Sequence, residues 1–170
     1  PELDDEHIYY PAERVTQVSP YGVDYIYLRG GVDLTLDFHG DTRARLLNTQ
    51  PHSGAQFWYA NRGDDSDMRL TRAFDLSGLS RATLQFWTWY DIEPDWDYGY
   101  VVVSNDDGAT WQILRGPSTS DANPNGNSYG WGYTGLSGDG PSWIEEQIDL
   151  SAYAGQRILI RFEYVTDDAL

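Results

Sequence analysis

Two stretches of the chain repeat one plan. "FDLSGLSRATLQFWTWYD" (74–91) and "IDLSAYAGQRILIRFEYVTD" (148–167) each read as strand, Asp-Leu-Ser turn, strand, acidic end. Helix periodicity is nearly absent elsewhere. A repeated strand–turn–strand unit then leaves few options. The favoured one is an all-β fold of two packed antiparallel sheets, with one unit in each half. We therefore expect a two-sheet sandwich of jelly-roll topology. An immunoglobulin-like sandwich is the second choice, and the Cys…Trp…Cys core signature of that fold is missing.

Other stretches alternate with a period of two, the signature of half-buried strands. "VDLTLDF" sets Val32, Leu34, Leu36 and Phe38 on one face and Asp33, Thr35 and Asp37 on the other. "MRLTRAFDL" does the same with Met68, Leu70, Phe74 and Leu76, interrupted by Arg72. "ATLQFWTWY" is apolar on both faces and predicts a central, doubly covered strand. "YGYVVVS" and "QRILIRFEYV" follow the same logic, and Asp-Gly in "NDDGAT" signals a hairpin. Residues 116–142 are rich in Gly, Asn, Ser and Pro and predict one long loop. With 170 residues the chain has room for one main domain, placed at 21–170 after an N-terminal segment or linker at 1–20. The missing initial Met and the strand-like C-terminus predict a piece of a longer protein, cut short within the sandwich.

Charge narrows the partners. There are 27 acidic residues against 11 Lys and Arg, a net charge of −16. Such a field repels nucleic acid and anionic membranes, and it suits cation binding or simple solubility. No apolar run is long enough to span a bilayer, so membrane insertion is not expected. The absence of Cys removes disulfides, thiol nucleophiles and thiolate zinc sites. The histidines His7, His39 and His52 are far apart, with no H-E-x-x-H, so no zinc of that type is expected. No serine stands in a G-x-S-x-G context. The Arg-Gly-Asp at 62–64 is short enough to occur by chance.

The acids form two groups. "GDDSD" holds Asp64, Asp65 and Asp67; "DIEPDWD" holds Asp91, Glu93, Asp95 and Asp97 at alternate positions. If the strand at 68–76 pairs with that at 83–90 across the Asp-Leu-Ser turn, both groups meet at one sheet end. Carboxylates so crowded repel unless a cation joins them, and calcium accepts six to eight oxygens in flexible geometry. Two other readings stay open: solvated acids on an exposed loop, or a glycosidase pair flanked by Trp87, Trp89 and Trp96. "SNDDGATW" matches the Asp-box pattern through Ser104, Asp106, Gly108, Thr110 and Trp111, which predicts a structural loop. Tyr129, Trp131 and Tyr133 are candidate ligand-binding residues that stack on sugar rings, or else they fold back over a sheet face.

The run from "PHSGAQFWYANRGDDSDMRL" through "TWYDIEPDWDYGYVVVSNDDGATW" resembles the non-catalytic β-sandwich region of secreted bacterial metallopeptidases of the immune inhibitor A family. "YGVDYIYL", "GYTG", "IDLSAYAGQ" and "IRFEYVTD" extend the likeness over most of the chain. The resemblance implies a MAM-like (galactose-binding-like) jelly roll downstream of a zinc peptidase domain, in which calcium contributes to the fold. It implies calcium at Asp64, Asp65, Asp91, Glu93, Asp95 and Asp97, secretion, and a peptidase domain as partner. An extracellular protein or glycan is a further partner. The catalytic H-E-x-x-H helix of the family is missing, so this chain alone is not expected to cleave peptides or to hold zinc. The chain stops where the family pattern continues, so Asp167 and Asp168 are not counted among the ligands. A free-standing carbohydrate-binding module is the alternative function, and a small glycosidase a more remote one.

Overall fold

The computed structural model describes residues 5–9, 12–18, 23–30, 33–41 and 47–168. The chain divides into two units, 1–50 and 51–170.

In the first unit, β1 (Asp5–Tyr9) and β2 (Tyr25–Arg29) pair in parallel. Among the described residues the strand expected at 32–38 is not formed. Residues 33–38 carry no ladder, and Leu34, Leu36 and Phe38 are 48%, 71% and 81% exposed; Val32 lies outside the described residues. Alternation marks a face fit for burial, but a strand also needs a partner for its backbone N–H and C=O groups.

The second unit is all-β. Its strands are β3 (Asp67–Asp75), β4 (Thr83–Thr88), β5 (Tyr98–Ser104), β6 (Gln112–Ile113), β7 (Ile144–Asp149) and β8 (Arg157–Val165). One sheet runs β3-β8-β5-β6 and the other β4-β7, with every pair antiparallel. The sheets pack face to face through Val101, Val103, Ile148, Ile158 and Ile160, all buried. Phe86 and Phe162 meet edge to face across the gap at 4.9 Å. The expected antiparallel sandwich is present. Among the described residues six strands build it, against the eight of a complete jelly roll.

The strand pairing corrects an expectation. β3 does not pair with β4 across the Asp-Leu-Ser turn; it pairs with β8, and β4 pairs with β7. Each Asp-Leu-Ser segment is therefore an arch that carries the chain from one sheet to the other. The two arches hold each other reciprocally. Leu76 N–H donates to the Gln156 carbonyl and Leu150 N–H to the Ala82 carbonyl, both at 2.9 Å. These are equivalent positions of the two repeats. Both leucines are buried. Asp75 and Asp149 each accept the N–H two residues on, from Ser77 at 3.0 Å and Ser151 at 2.8 Å. Those serine bonds hold both carboxyls below their ordinary range. The repeated sequence thus encodes two copies of one corner.

The doubly covered strand is β5, not β4. Val101 and Val103 face the core, while Tyr98, Tyr100 and Val102 face outward and are still buried. β4 belongs to a two-stranded ladder, and its Trp87 is 43% exposed. Apolarity on both faces of β4 reflects a separate aromatic patch. His52 stacks on Trp87 at 3.7 Å, and Phe57 meets Trp143 edge to face at 5.6 Å.

Candidate metal centre

Register decides what lies at the sheet end. Asp67 of β3 and Tyr98 of β5 both stand opposite Val165 of β8. The residues entering β3, entering β5 and leaving β8 are therefore neighbours. The two acidic groups do approach each other, with β8 running between their strands. Asp65 N–H donates to the Asp167 carbonyl at 2.6 Å, and Thr166 N–H to the Ser66 carbonyl at 3.0 Å. The Thr166 hydroxyl donates to the Gly63 carbonyl at 2.7 Å.

The alternation in "DIEPDWD" does not survive as a strand. Residues 94–96 form a turn closed by Asp97 N–H donating to the Glu93 carbonyl at 3.2 Å. Asp95 takes the left-handed conformation at φ 68, which Asp tolerates better than most residues. Thr134 pins the turn: its hydroxyl accepts Asp95 N–H at 2.9 Å and donates to the Glu93 carbonyl at 3.2 Å. The turn thereby sets Glu93 and Asp97 on one side.

Glu93, Asp97 and Asp167 each offer a carboxylate oxygen within 4.8 Å of the other two. Asp97 has no solvent exposure. Tyr164 donates its hydroxyl to Asp97 Oδ2 and Asp167 its backbone N–H to Asp97 Oδ1, each at 3.0 Å. Burial first, and then the Asp97 carboxylate, push the ionisation of Tyr164 upward, so it stays a donor. Asn127 contributes an amide donor to Asp167 Oδ2 at 3.4 Å. Two unit charges at this spacing repel by roughly 3 kcal/mol at an effective dielectric near 20. Three carboxylates with neither nitrogen nor sulfur among them form a donor set for a hard cation.

The other expected ligands go elsewhere. Asp64 and Asp65 are exposed, and Asp65 takes part through its backbone. Asp67 is held by Arg69, whose Nε also reaches Glu163 at 2.7 Å. Asp91 is exposed and makes a backbone bridge with Leu136. Asp95 forms the turn. The third member of the cluster is Asp167, which the C-terminal position had argued against. The repeat carried a usable signal, since both copies end in an acid.

Side-chain hydrogen bonds to Asp106 brace the loop 104–111. Asp106 accepts the Thr110 hydroxyl at 2.6 Å, the Ser104 hydroxyl at 2.7 Å and Thr110 N–H at 2.9 Å. These bonds, Thr110 first, hold its carboxyl at about 2. Gly108 sits at φ 90, and Trp111 donates its indole N–H to the Gly108 carbonyl at 3.1 Å.

The loop aromatics divide. Tyr133 is buried and so is withdrawn from any surface ligand. Its hydroxyl donates to Glu146 Oε2 at 2.8 Å. Trp131 lies under the Arg115 guanidinium at 3.9 Å. Tyr129 stacks on Tyr100 at 5.8 Å yet remains 72% exposed. Strand periodicity gave no warning of Glu146, a fully buried acid whose Oε1 has no partner among the described residues.

The immune inhibitor A-like MAM domain family matches residues 32–170. The chain belongs to that family. Relatives of this MAM domain include the pre-pro-metalloprotease PrtV of Vibrio cholerae serotype O1, 33% identical over 126 residues. That match takes in 74% of the chain and 13% of the relative. Immune inhibitor A of Bacillus thuringiensis subsp. alesti is 29% identical over 123 residues, covering 71% of the chain and 16% of the relative. Bacillopeptidase F of Bacillus subtilis (strain 168) is 35% identical over 90 residues, covering 51% of the chain and 5% of the relative. The MAM domain thus spans a small part of each relative's length.

Proposed function

We propose that this MAM domain is a non-catalytic accessory module of a secreted, immune inhibitor A-like zinc metallopeptidase. Its fold is held at one end by calcium. Its work is to stabilise the peptidase domain or to present a surface to extracellular protein or glycan. Family membership and the large relatives support the accessory role. The observation that carries the calcium reading is the convergence of Glu93, Asp97 and Asp167. Glu93 and Asp97 come from the turn before β5 and Asp167 follows β8, so an ion there ties together the two central strands of the larger sheet. Calcium suits this all-oxygen set better than magnesium, which keeps more of its water.

Thermal melting in calcium and in EDTA tests the reading. An ion bound only by the folded state adds RT ln(1 + [L]/Kd), about 2.7 kcal/mol at a hundredfold excess over Kd. Calcium raises the melting temperature of the parent, and Glu93→Gln and Asp167→Asn lose most of that rise. Identical melts in calcium and EDTA would exclude the site. A second reading, glycan binding, rests on the exposed Tyr129 ring. On a glycan array it requires binding that Tyr129→Ala removes.

A further inference from the structure

The loop 116–142 carries three asparagines close together, Asn123, Asn125 and Asn127. They face different chemistry. An asparagine side chain is lost when the following backbone nitrogen attacks its Cγ. Asn123 precedes Pro124, which has no N–H to give. Asn127 precedes Ser128, whose N–H is donated to Asn123 Oδ1 at 2.9 Å and which carries its own side chain. Asn125 precedes Gly126, which lies at φ 89 with open space around the position of a Cβ. The Gly126 N–H makes no hydrogen bond among the described residues. Both residues are exposed. Among the described residues the Asn125 amide is tied only by a long bond from Nδ2 to the Asp95 carbonyl at 3.3 Å.

We infer that Asn125 is a site of spontaneous deamidation. The Gly126 nitrogen bonds to Asn125 Cγ, the Cγ–Nδ2 bond breaks, and ammonia leaves with the Gly126 proton. Water then opens the succinimide ring at either carbonyl, giving aspartate or isoaspartate at position 125. The net change is one water in and one ammonia out, with no oxidant or reductant.

The position gives the change a structural consequence. Asn125 holds the Asp95 carbonyl, and Asn127 holds the Trp96 carbonyl at 3.3 Å and Asp167 Oδ2. Deamidation removes the first tie and adds a carboxylate beside the turn that orients Glu93 and Asp97. The chemistry does not depend on whether calcium binds there.

The test ages the intact chain at mildly alkaline pH and maps the tryptic peptide 116–157. The expected result is a gain of one mass unit at position 125, with part of the product labelled by an isoaspartyl methyltransferase. Conversion there runs roughly tenfold or more faster than at Asn127 in the same peptide. Asn125→Gln, which leaves the loop backbone unchanged, abolishes it. Conversion in urea but not in the folded chain overturns the inference, because the loop then holds the two groups apart. Equal conversion at Asn127 overturns it as well, because Gly126 then confers nothing.

Discussion

Tyr133→Phe removes one oxygen and leaves the ring. In the folded chain that oxygen is the partner of Glu146 Oε2 at 2.8 Å, and Glu146 has no solvent exposure. Oε1 already lacks a partner among the described residues, so the substitution strands the whole buried carboxyl. Phe keeps the contacts of the Tyr133 ring with the core, including the approach to Tyr90 at 5.5 Å. The cost therefore reports polar pairing and not a cavity. Stranding one buried polar group costs about 1–3 kcal/mol, and a carboxyl belongs toward the upper end. We expect a loss of about 3 kcal/mol, read as a lower urea midpoint at unchanged m-value. Adding Glu146→Leu to Tyr133→Phe removes both partners and recovers much of the loss. The double-mutant coupling then falls in the range of about 0.5–3 kcal/mol for contacting residues. A Tyr133→Phe chain within about 0.5 kcal/mol of the parent, or strictly additive variants, would refute the reasoning.

Gly116 faces the same pair: a Cβ there would run into Glu146 Oε2 and the Tyr133 hydroxyl. Gly116→Ala is expected to destabilise by about 1–3 kcal/mol in urea unfolding. The arches predict matched behaviour, so Leu76→Ala and Leu150→Ala should each cost about 2–5 kcal/mol. An insensitive Leu150 would break the equivalence. Asp106 predicts a pH dependence. Its folded carboxyl lies at about 2, below the ordinary 3.8, so its stabilising contribution is complete above about pH 4 and is lost as pH falls toward 2. Acid titration of stability should be steeper in the parent than in Asp106→Asn, where the slope from Asp75 and Asp149 remains.

Much of the sandwich can be read from the chain, because alternation reports which face of a strand is buried. β3, β5 and β8 follow from "MRLTRAFDL", "YGYVVVS" and "QRILIRFEYV". Pairing partners are a different matter, since period two says nothing about neighbours. The Asp-Leu-Ser segments look like hairpin turns, and only the register with β8 and β7 reveals them as arches. The acidic end shows both effects. Its general location follows from the two acid-rich stretches, while its membership depends on a turn at 94–96 and on a strand near the C-terminus. The alternation at 32–38 misleads because burial potential does not supply a ladder partner. Glu146 escapes because nothing local announces a buried acid whose partner, Tyr133, lies in the preceding loop.

The place of β8 sets a timetable. Among the described residues it is the last strand, and it lies between β3 and β5. Among the described residues β3 gains its sheet neighbour only when the whole stretch 76–156 has been made and brought back. Closing a loop of about eighty residues costs roughly 4 kcal/mol beyond a constant, met before any ladder bond forms. Pairing over such distances makes for slow folding. A ribosome or export channel that still encloses 157–165 therefore keeps the larger sheet apart, however much of the chain has already emerged.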